Sequence, residues 1–218
     1  DAGVLGTAHE SLRPLGIPAS KIRLVMNDTA VTPNAGPAGG SRSQVVVGNS
    51  IRVGCERLVQ ALAKPGGGFY TYDEAKAAGV ELRQQGIWTA PATNNDEKGL
   101  GEPFSVYMYG LFMAEVAVGT ATGKVQVEKM TLIADIGKIN NRTIVEGQIY
   151  GGLAQGIGLA LTEDYEDIKK HSTLAGAGIP YIKQIPDDIE LVFVETPRAN
   201  GPFGAAGVGE MPLCGPHP

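Results

Sequence analysis

Apolar residues at Val47, Ile51, Cys55, Leu58 and Leu62 recur at intervals of four and three, the period of one helix face. Ser43 stands where a helix cap is wanted, and Pro65-Gly66-Gly67-Gly68 closes the run. The spacing therefore predicts an amphipathic helix that starts at Ser43 and stops before Pro65. Ahead of it, Ile22–Met26 reads as a short strand. Asn27–Gly40 reads as a turn-rich connection holding Pro33, Asn34, Gly36, Pro37 and Gly39. Beyond it, Asp73–Ala78 reads as a short helix, and Ala90–Gly101 is polar and irregular.

The period then changes to two. Phe104, Val106 and Met108 alternate with Ser105, Tyr107 and Tyr109, which predicts a strand over Phe104–Val118 with one wet or interfacial face. Thr120–Gly123 makes a turn and Val125–Asp135 returns as a second strand, so the pair forms a hairpin. Thr143 and Glu146 have the spacing of a capping box and open a helix that runs to Leu161. Its middle is apolar nearly all round, which predicts burial. It also carries Gly147, Gly151, Gly152, Gly156 and Gly158, each costing up to ~1 kcal/mol relative to Ala in a helix interior. That concentration predicts something large lying against the helix. Asp188–Val194 is another strand, and no internal repeat is visible. A hairpin among long helices points to an α+β fold rather than regular βαβ winding.

Composition narrows the classes. The 218 residues are 43% hydrophobic and 19% charged, a globular balance. The formal charge of -5 and the scattered basic residues argue against a nucleic-acid surface. No apolar run reaches the roughly 18 residues of a membrane span, and no signal peptide is visible, so a cytoplasmic protein is expected. Cys55 and Cys214 are too few for a four-cysteine zinc or iron–sulfur site, and reduced thiols are the default. His9, His171 and His217 show no metal-ligand spacing; His9 and His171 read as structural or exposed.

Three segments carry candidate chemistry. Four glycines between Gly201 and Gly209 deliver one carboxylate, Glu210, followed by Met211-Pro212-Leu213. Glycine lets backbone approach a bulky ligand closely. An acid among apolar neighbours suits a general base with a raised pKa. Gly36-Pro37-Ala38-Gly39-Gly40-Ser41-Arg42-Ser43-Gln44 is a glycine-rich loop entering a helix. Helix N-termini offer free N–H groups and a positive dipole end to phosphate, and hydroxyls, a guanidinium and an amide add donors. Gln148 and Gln155 are amides within the glycine-rich helix, where Gln148 could face a ligand. Taken singly, these segments also fit a solvated glutamate, a capped helix after an ordinary loop, and amides satisfied by backbone.

Together, and in this order, the Gly-Gly-Ser-Arg-Ser-Gln loop, the Gly-Gln-Ile-Tyr-Gly-Gly-Leu-Ala-Gln-Gly helix and the closing Gly-Val-Gly-Glu resemble the xanthine oxidase family of molybdenum hydroxylases. Asp135-Ile136-Gly137-Lys138-Ile139-Asn140 and the Gly178-Ile179-Pro180 to Gln184-Ile185-Pro186 stretch add to the match. The likeness is greatest to the bacterial aldehyde oxidoreductases, and it extends over nearly the whole chain. It implies that residues 1–218 form part of the second molybdenum domain, a molybdopterin-binding portion with mixed sheets and packed helices, truncated at both ends. Asp1 without an initiator Met and the stop at His217-Pro218 are in keeping with a fragment.

The resemblance further implies cofactor contacts at Gly39, Gly40, Ser41, Arg42, Ser43, Gln44 and Gln148, and a catalytic base at Glu210. It implies no protein ligand to the metal. The implied cofactor is Mo-molybdopterin cytosine dinucleotide, and the implied reaction converts an aldehyde and water to a carboxylic acid. Electrons would leave through iron–sulfur centres in an upstream part of the polypeptide to a ferredoxin- or flavodoxin-type acceptor, and the parent would be a homodimer. A purine or other heteroaromatic hydroxylase of the same family and a non-catalytic assembly module are the competing expectations.

Overall fold

A computed structural model describes residues 2–25 and 28–216. The chain divides into two compact units, 1–106 with 197–207 and 107–196 with 208–218.

The first unit is built on two helices, α1 (Ala2–Leu12) and α2 (Ser43–Leu62), packed on one another. Val4, Thr7, Ser11 and Leu12 are the buried positions of α1, and the Ser11 hydroxyl donates to the Thr7 carbonyl one turn back. Helix α2 buries Val45, Gly48 and Asn49, whereas Val47, Ile51, Cys55, Leu58 and Leu62 are only half-buried. The apolar stripe was legible; the fully buried positions lie to one side of it, where a glycine and an amide make the surface small enough for close approach. A further short helix, α3 (Tyr72–Ala77), has Thr71 as N-cap in a reciprocal box with Glu74, and buries Ala75 completely. Within the irregular stretch 90–102 the two-residue strands β1 (Asn94–Asn95) and β2 (Gly101–Glu102) pair antiparallel, and the Asp96 carboxylate accepts from the Lys98 and Leu100 amides in the turn.

Two expectations fail in this unit. Residues 22–25 of the expected Ile22–Met26 strand are irregular, with no sheet partner among the described residues; Met26 and Asn27 lie outside them. Ser43 does not cap α2. It is the first helical residue, Arg42 holds the cap position in helical conformation, and no side chain caps the helix.

The second unit is a three-stranded mixed sheet under a helix. Strands β3 (Tyr109–Val118) and β4 (Val125–Asp135) form the expected antiparallel hairpin, and β4 pairs in parallel with β5 (Asp188–Val194). Helix α4 (Arg142–Leu161) is the crossover between the parallel strands, so one βαβ unit sits inside the α+β fold. The core is a zipper of periods two and four. Met130, Leu132 and Ala134 on β4, with Ile136 just beyond, meet Ile149, Leu153 and Ile157 on α4, joined by Val127 and Val208. Complete burial of each large aliphatic contributes about 1.5–3 kcal/mol. On the opposite sheet face, Leu111, Ile133 and Val192 lie in one row, with Leu111 and Val192 exposed.

Three boundaries differ from expectation. Strand β3 begins at Tyr109 rather than Phe104, because Tyr109 already pairs with Asp135, the last residue of β4, and nothing remains for 104–108 to pair with. Helix α4 is capped by Asn141, whose side chain accepts from the Ile144 amide, while Glu146 takes the Arg142 guanidinium at 2.7 Å instead of closing a box with Thr143. Finally, α4 is not buried all round: Gly147, Gln148, Gly151 and Gln155 are exposed. That side carries two glycines, which contribute little burial, and two amides, while Tyr150, Leu159 and Leu161 are exposed as well.

Candidate functional site

In the first unit the loop before α2 is held open by its own arginine. The Arg42 Nη1 donates to the Ala35 and Pro37 carbonyls, both at 2.9 Å, and the guanidinium packs on Gly36, whose φ of 74° is suited to glycine. Arg42 thus braces the loop from within. Gly39 and Gly40 follow, exposed, with nothing within 4 Å of the place a β-carbon would take. Ser41 then adopts φ 54°, a left-handed conformation costly for a residue with a side chain. The first turn of α2 contains no acidic residue and its N-cap side chain makes no cap hydrogen bond, so no carboxylate or cap offsets the positive end of the helix dipole there. Gln44 is turned the other way: its Nε2 donates to the Thr7 hydroxyl of α1 at 3.4 Å.

The segment that leads to the terminal acid packs on this same loop and helix. Residues 198–205 close on themselves: the Arg198 amide donates to Gly204, Gly201 to Arg198, Gly204 to Gly201 and Ala205 to Pro202. Pro202 is buried against Gly48, where a β-carbon would come within 2.9 Å of its ring. Gly207 lies on the Ser41 carbonyl so closely that no β-carbon fits. Phe203, with φ 52°, is the other non-glycine residue in the left-handed region among those described, and its ring is exposed.

Gln148 and Glu210 belong to the second unit. A short helix, α5 (Met211–Cys214), begins directly after Glu210 and packs on α4. Gly152 admits Pro212, Gly156 admits the Leu213 carbonyl and Pro216, and Gly158 admits Pro180. The large object expected against the glycine helix is thus, at these three positions, the polypeptide itself. Gly147 and Gly151 have open space instead. Gln148 is exposed on the same side, one turn before Gly152. Glu210 is also exposed: Val208 and Pro212 are buried on either side of it, but the carboxylate is not enclosed by them as the apolar flanks suggested.

The structure therefore joins the 39–44 loop to 201–207 in one unit, and the Gln148 helix to the Glu210 helix in the other. Among the described residues no group of three His, Cys, Asp or Glu side chains could hold a metal ion. His171 is tied into a local turn, its Nδ1 accepting from the Asp167 amide with Asp164 at 3.8 Å, while His9 is exposed and His217 lies outside the described residues. Burial, reinforced by Glu56, pushes the Cys55 thiol above its ordinary pKa. The residue missed from sequence is Asn49, buried at 2% exposure in α2. Its only signal was a polar amide between positions of a helical apolar pattern.

Residues 1–186 match the family described as molybdopterin cofactor-binding domain. The whole chain is 61% identical to an aldehyde oxidoreductase of Megalodesulfovibrio gigas, of which it spans 24%. It is 27% identical, over 92% of its length, to a mouse xanthine dehydrogenase/oxidase, of which it spans 16%. The crystal structure of the aldehyde oxidoreductase from Desulfovibrio desulfuricans superposes with a TM-score of 0.94 at 69% identity, over 99% of this chain and 24% of that one. A Cu,Mo-CO dehydrogenase shares the fold, with a TM-score of 0.75 at 21% identity over 97% of this chain and 30% of that one.

Proposed function

The chain belongs to the molybdopterin cofactor-binding domain family, and from that premise we propose that it is part of a longer molybdenum hydroxylase that oxidises an aldehyde with water to a carboxylic acid. The observation that carries this reading is the seating of Gly207 on Ser41, which ties the donor-rich turn to the segment running on to Glu210. The name and 61% identity of the Megalodesulfovibrio gigas relative favour aldehydes as the substrate class.

The residues present fit the cofactor. Open glycines, hydroxyls and uncapped helix amides form a set made mainly of donors, with no carboxylate in the first turn of α2, as a phosphate-bearing pterin requires. Gly39, Gly40, Ser41, Ser43 and the Gln44 backbone would hold its anionic arm, Arg42 keeps their loop in shape, and Gln148 would offer an amide contact. A dinucleotide form carrying cytosine suits this site because it adds a second phosphate to be held. When bound, the cofactor supplies a Lewis-acidic metal that can accept two electrons. Glu210, as a carboxylate, takes up the proton released from the attacking water. Its exposure leaves it accessible to that water, and its place ahead of α5 fixes its backbone.

The rest of the enzyme would supply iron–sulfur centres and the contact with a ferredoxin- or flavodoxin-type acceptor, in a homodimer. Among the described residues no helix is long and apolar enough to cross a membrane. The free thiols of Cys55 and Cys214 support a cytoplasmic, reducing location. A heteroaromatic substrate is the second reading, favoured by the likeness to the mouse xanthine dehydrogenase/oxidase; turnover of benzaldehyde against xanthine separates the two.

The test is Glu210→Gln in the full-length enzyme. Bound molybdenum should stay unchanged while kcat falls about 10³-fold, within the range for loss of a general base. Normal turnover would remove Glu210 from the chemistry and favour a binding or assembly module.

A further inference from the structure

Asn49 sits where α2 meets the segment that leads to Glu210. It is 2% exposed, and both protons of its amide are used: Nδ2 donates to the Val45 carbonyl one turn back and to the Asn200 carbonyl, each at 2.8 Å. Its Oδ1 accepts from Arg52 Nε at 3.2 Å, which fixes which end of the amide is which. The bond to Val45 lies within the helix. The bond to Asn200 is the one that crosses to another element. Asn200 in turn donates from its own side chain to the Ser105 carbonyl at 3.0 Å, so the turn is held from two directions.

What hangs on that bond is a chain of contacts without slack. Asn200 opens the turn in which Pro202 enters the notch at Gly48, adjacent to Asn49 on α2. The turn continues through Phe203 in its left-handed conformation to buried Ala205 and Ala206, and ends with Gly207 on the Ser41 carbonyl. A slip of this segment along α2 would place Pro202 against a residue larger than glycine and lift Gly207 from Ser41. The amide can prevent that slip because its two donors are fixed in a plane and one is already committed to the helix.

We infer that Asn49 is a positioning residue for the 39–44 turn. It sets the register of 200–207 against α2, and so the seat of Gly207 on the Ser41 carbonyl. The inference rests on the role proposed above for that turn, but its physical core concerns only the register of the segment.

Two variants test it in the full-length enzyme. Asn49→Ser keeps a hydroxyl that can bond back to Val45 and is too short to reach Asn200. Asn49→Asp keeps the size and, ionised, has no donor for either carbonyl. Hydrogen exchange at the Gly201, Gly204 and Ala205 amides should rise at least 10-fold in both. The molybdenum-to-protein ratio should fall several-fold, with turnover per bound molybdenum changed by less than about twofold. Unchanged exchange in both variants would overturn the inference, as would an Asn49→Asp enzyme with the exchange and molybdenum content of the wild type. Faster exchange with full molybdenum content would refute the part that concerns the turn. Because exchange needs neither metal nor substrate, a failure of the molybdenum reading shows instead in Glu210→Gln, with the exchange result standing.

Discussion

Gly207 rests against the backbone carbonyl of Ser41, leaving no space for a β-carbon. Ser41 is itself held at φ 54°, and the segment bearing Gly207 contains Phe203 at φ 52°. Such conformations cost about 1–3 kcal/mol and persist only where the surroundings over-determine them. Here the two strained residues lie in two segments that brace one another. Gly207→Ala should therefore destabilise the first unit by about 1–3 kcal/mol, the range for forcing an extra carbon into a packed site. Gly207 is not among the glycines with positive φ, so with room for a methyl group the same change would stabilise by restricting the unfolded chain. Exchange-detected unfolding of α2 in the apo enzyme reads the sign.

Arg42 is expected to act on cofactor occupancy rather than on turnover. Its Nη1 holds the Ala35 and Pro37 carbonyls at once, a fork that a lysine ammonium does not reproduce with the same planarity. Arg42→Ala should lower the molybdenum-to-protein ratio several-fold while turnover per bound molybdenum changes by less than about twofold. Arg42→Lys should restore only part of the occupancy. An Arg42→Ala enzyme with full metal content would show that the loop needs no brace.

Much of this was legible in the sequence, and the failures share a cause. The hairpin and the long α2 carry strong periodicity, and their patterns found them, whereas the Gly-rich α4 showed itself by its continuous apolar run. What the pattern missed are contacts made by small or polar residues. Gly48 and Asn49 score as gaps in an apolar stripe, yet they form the buried face of α2. Ser43 and Thr143 looked like caps because capping residues are recognised by type. Which one caps is decided by backbone angles a residue or two away, at Arg42 and Asn141. Glu210 stood out through its glycines, but its exposure depends on which way the chain leaves Val208, and no local pattern encodes that.

The cap of α3 gives a pH signature. Glu74 accepts from Lys64 Nζ and from the Thr71 amide and hydroxyl, in that order of effect, and its pKa is lowered from 4.5 to about 2. A carboxylate with a depressed folded pKa contributes stability above its unfolded value and loses it as pH falls through the folded one. The protection of the Ala75 and Ala78 amides, which bond to Thr71 and Glu74, should thus exceed that in Glu74→Gln at pH 7. The difference should shrink between pH 4.5 and about 2 and be gone below that. Added salt should narrow it at pH 7, because the Lys64 pair is partly exposed. No difference at pH 7 would show that the helix is held by Thr71 without the Glu74 charge.

Two neighbouring glycines of α4 should respond in opposite directions. At Gly152 a β-carbon would lie 2.8 Å from Pro212 Cβ and 3.3 Å from the Leu213 nitrogen, and backbone and proline ring cannot swing aside as a flexible side chain would. Gly152→Ala should push α5 outward, destabilise its docking by about 1–3 kcal/mol and, because Glu210 immediately precedes α5, lower kcat. At Gly151 nothing lies within 4 Å and the helix gains a better former, so Gly151→Ala should stabilise the apo enzyme by about 0.5–1 kcal/mol with kcat retained. Hydrogen exchange in α4 and α5, with turnover per bound molybdenum, separates the two outcomes. Similar losses from both substitutions would mean that the exposed side of α4 is packed as tightly as the side that carries α5. Helix propensity alone would then no longer govern Gly151.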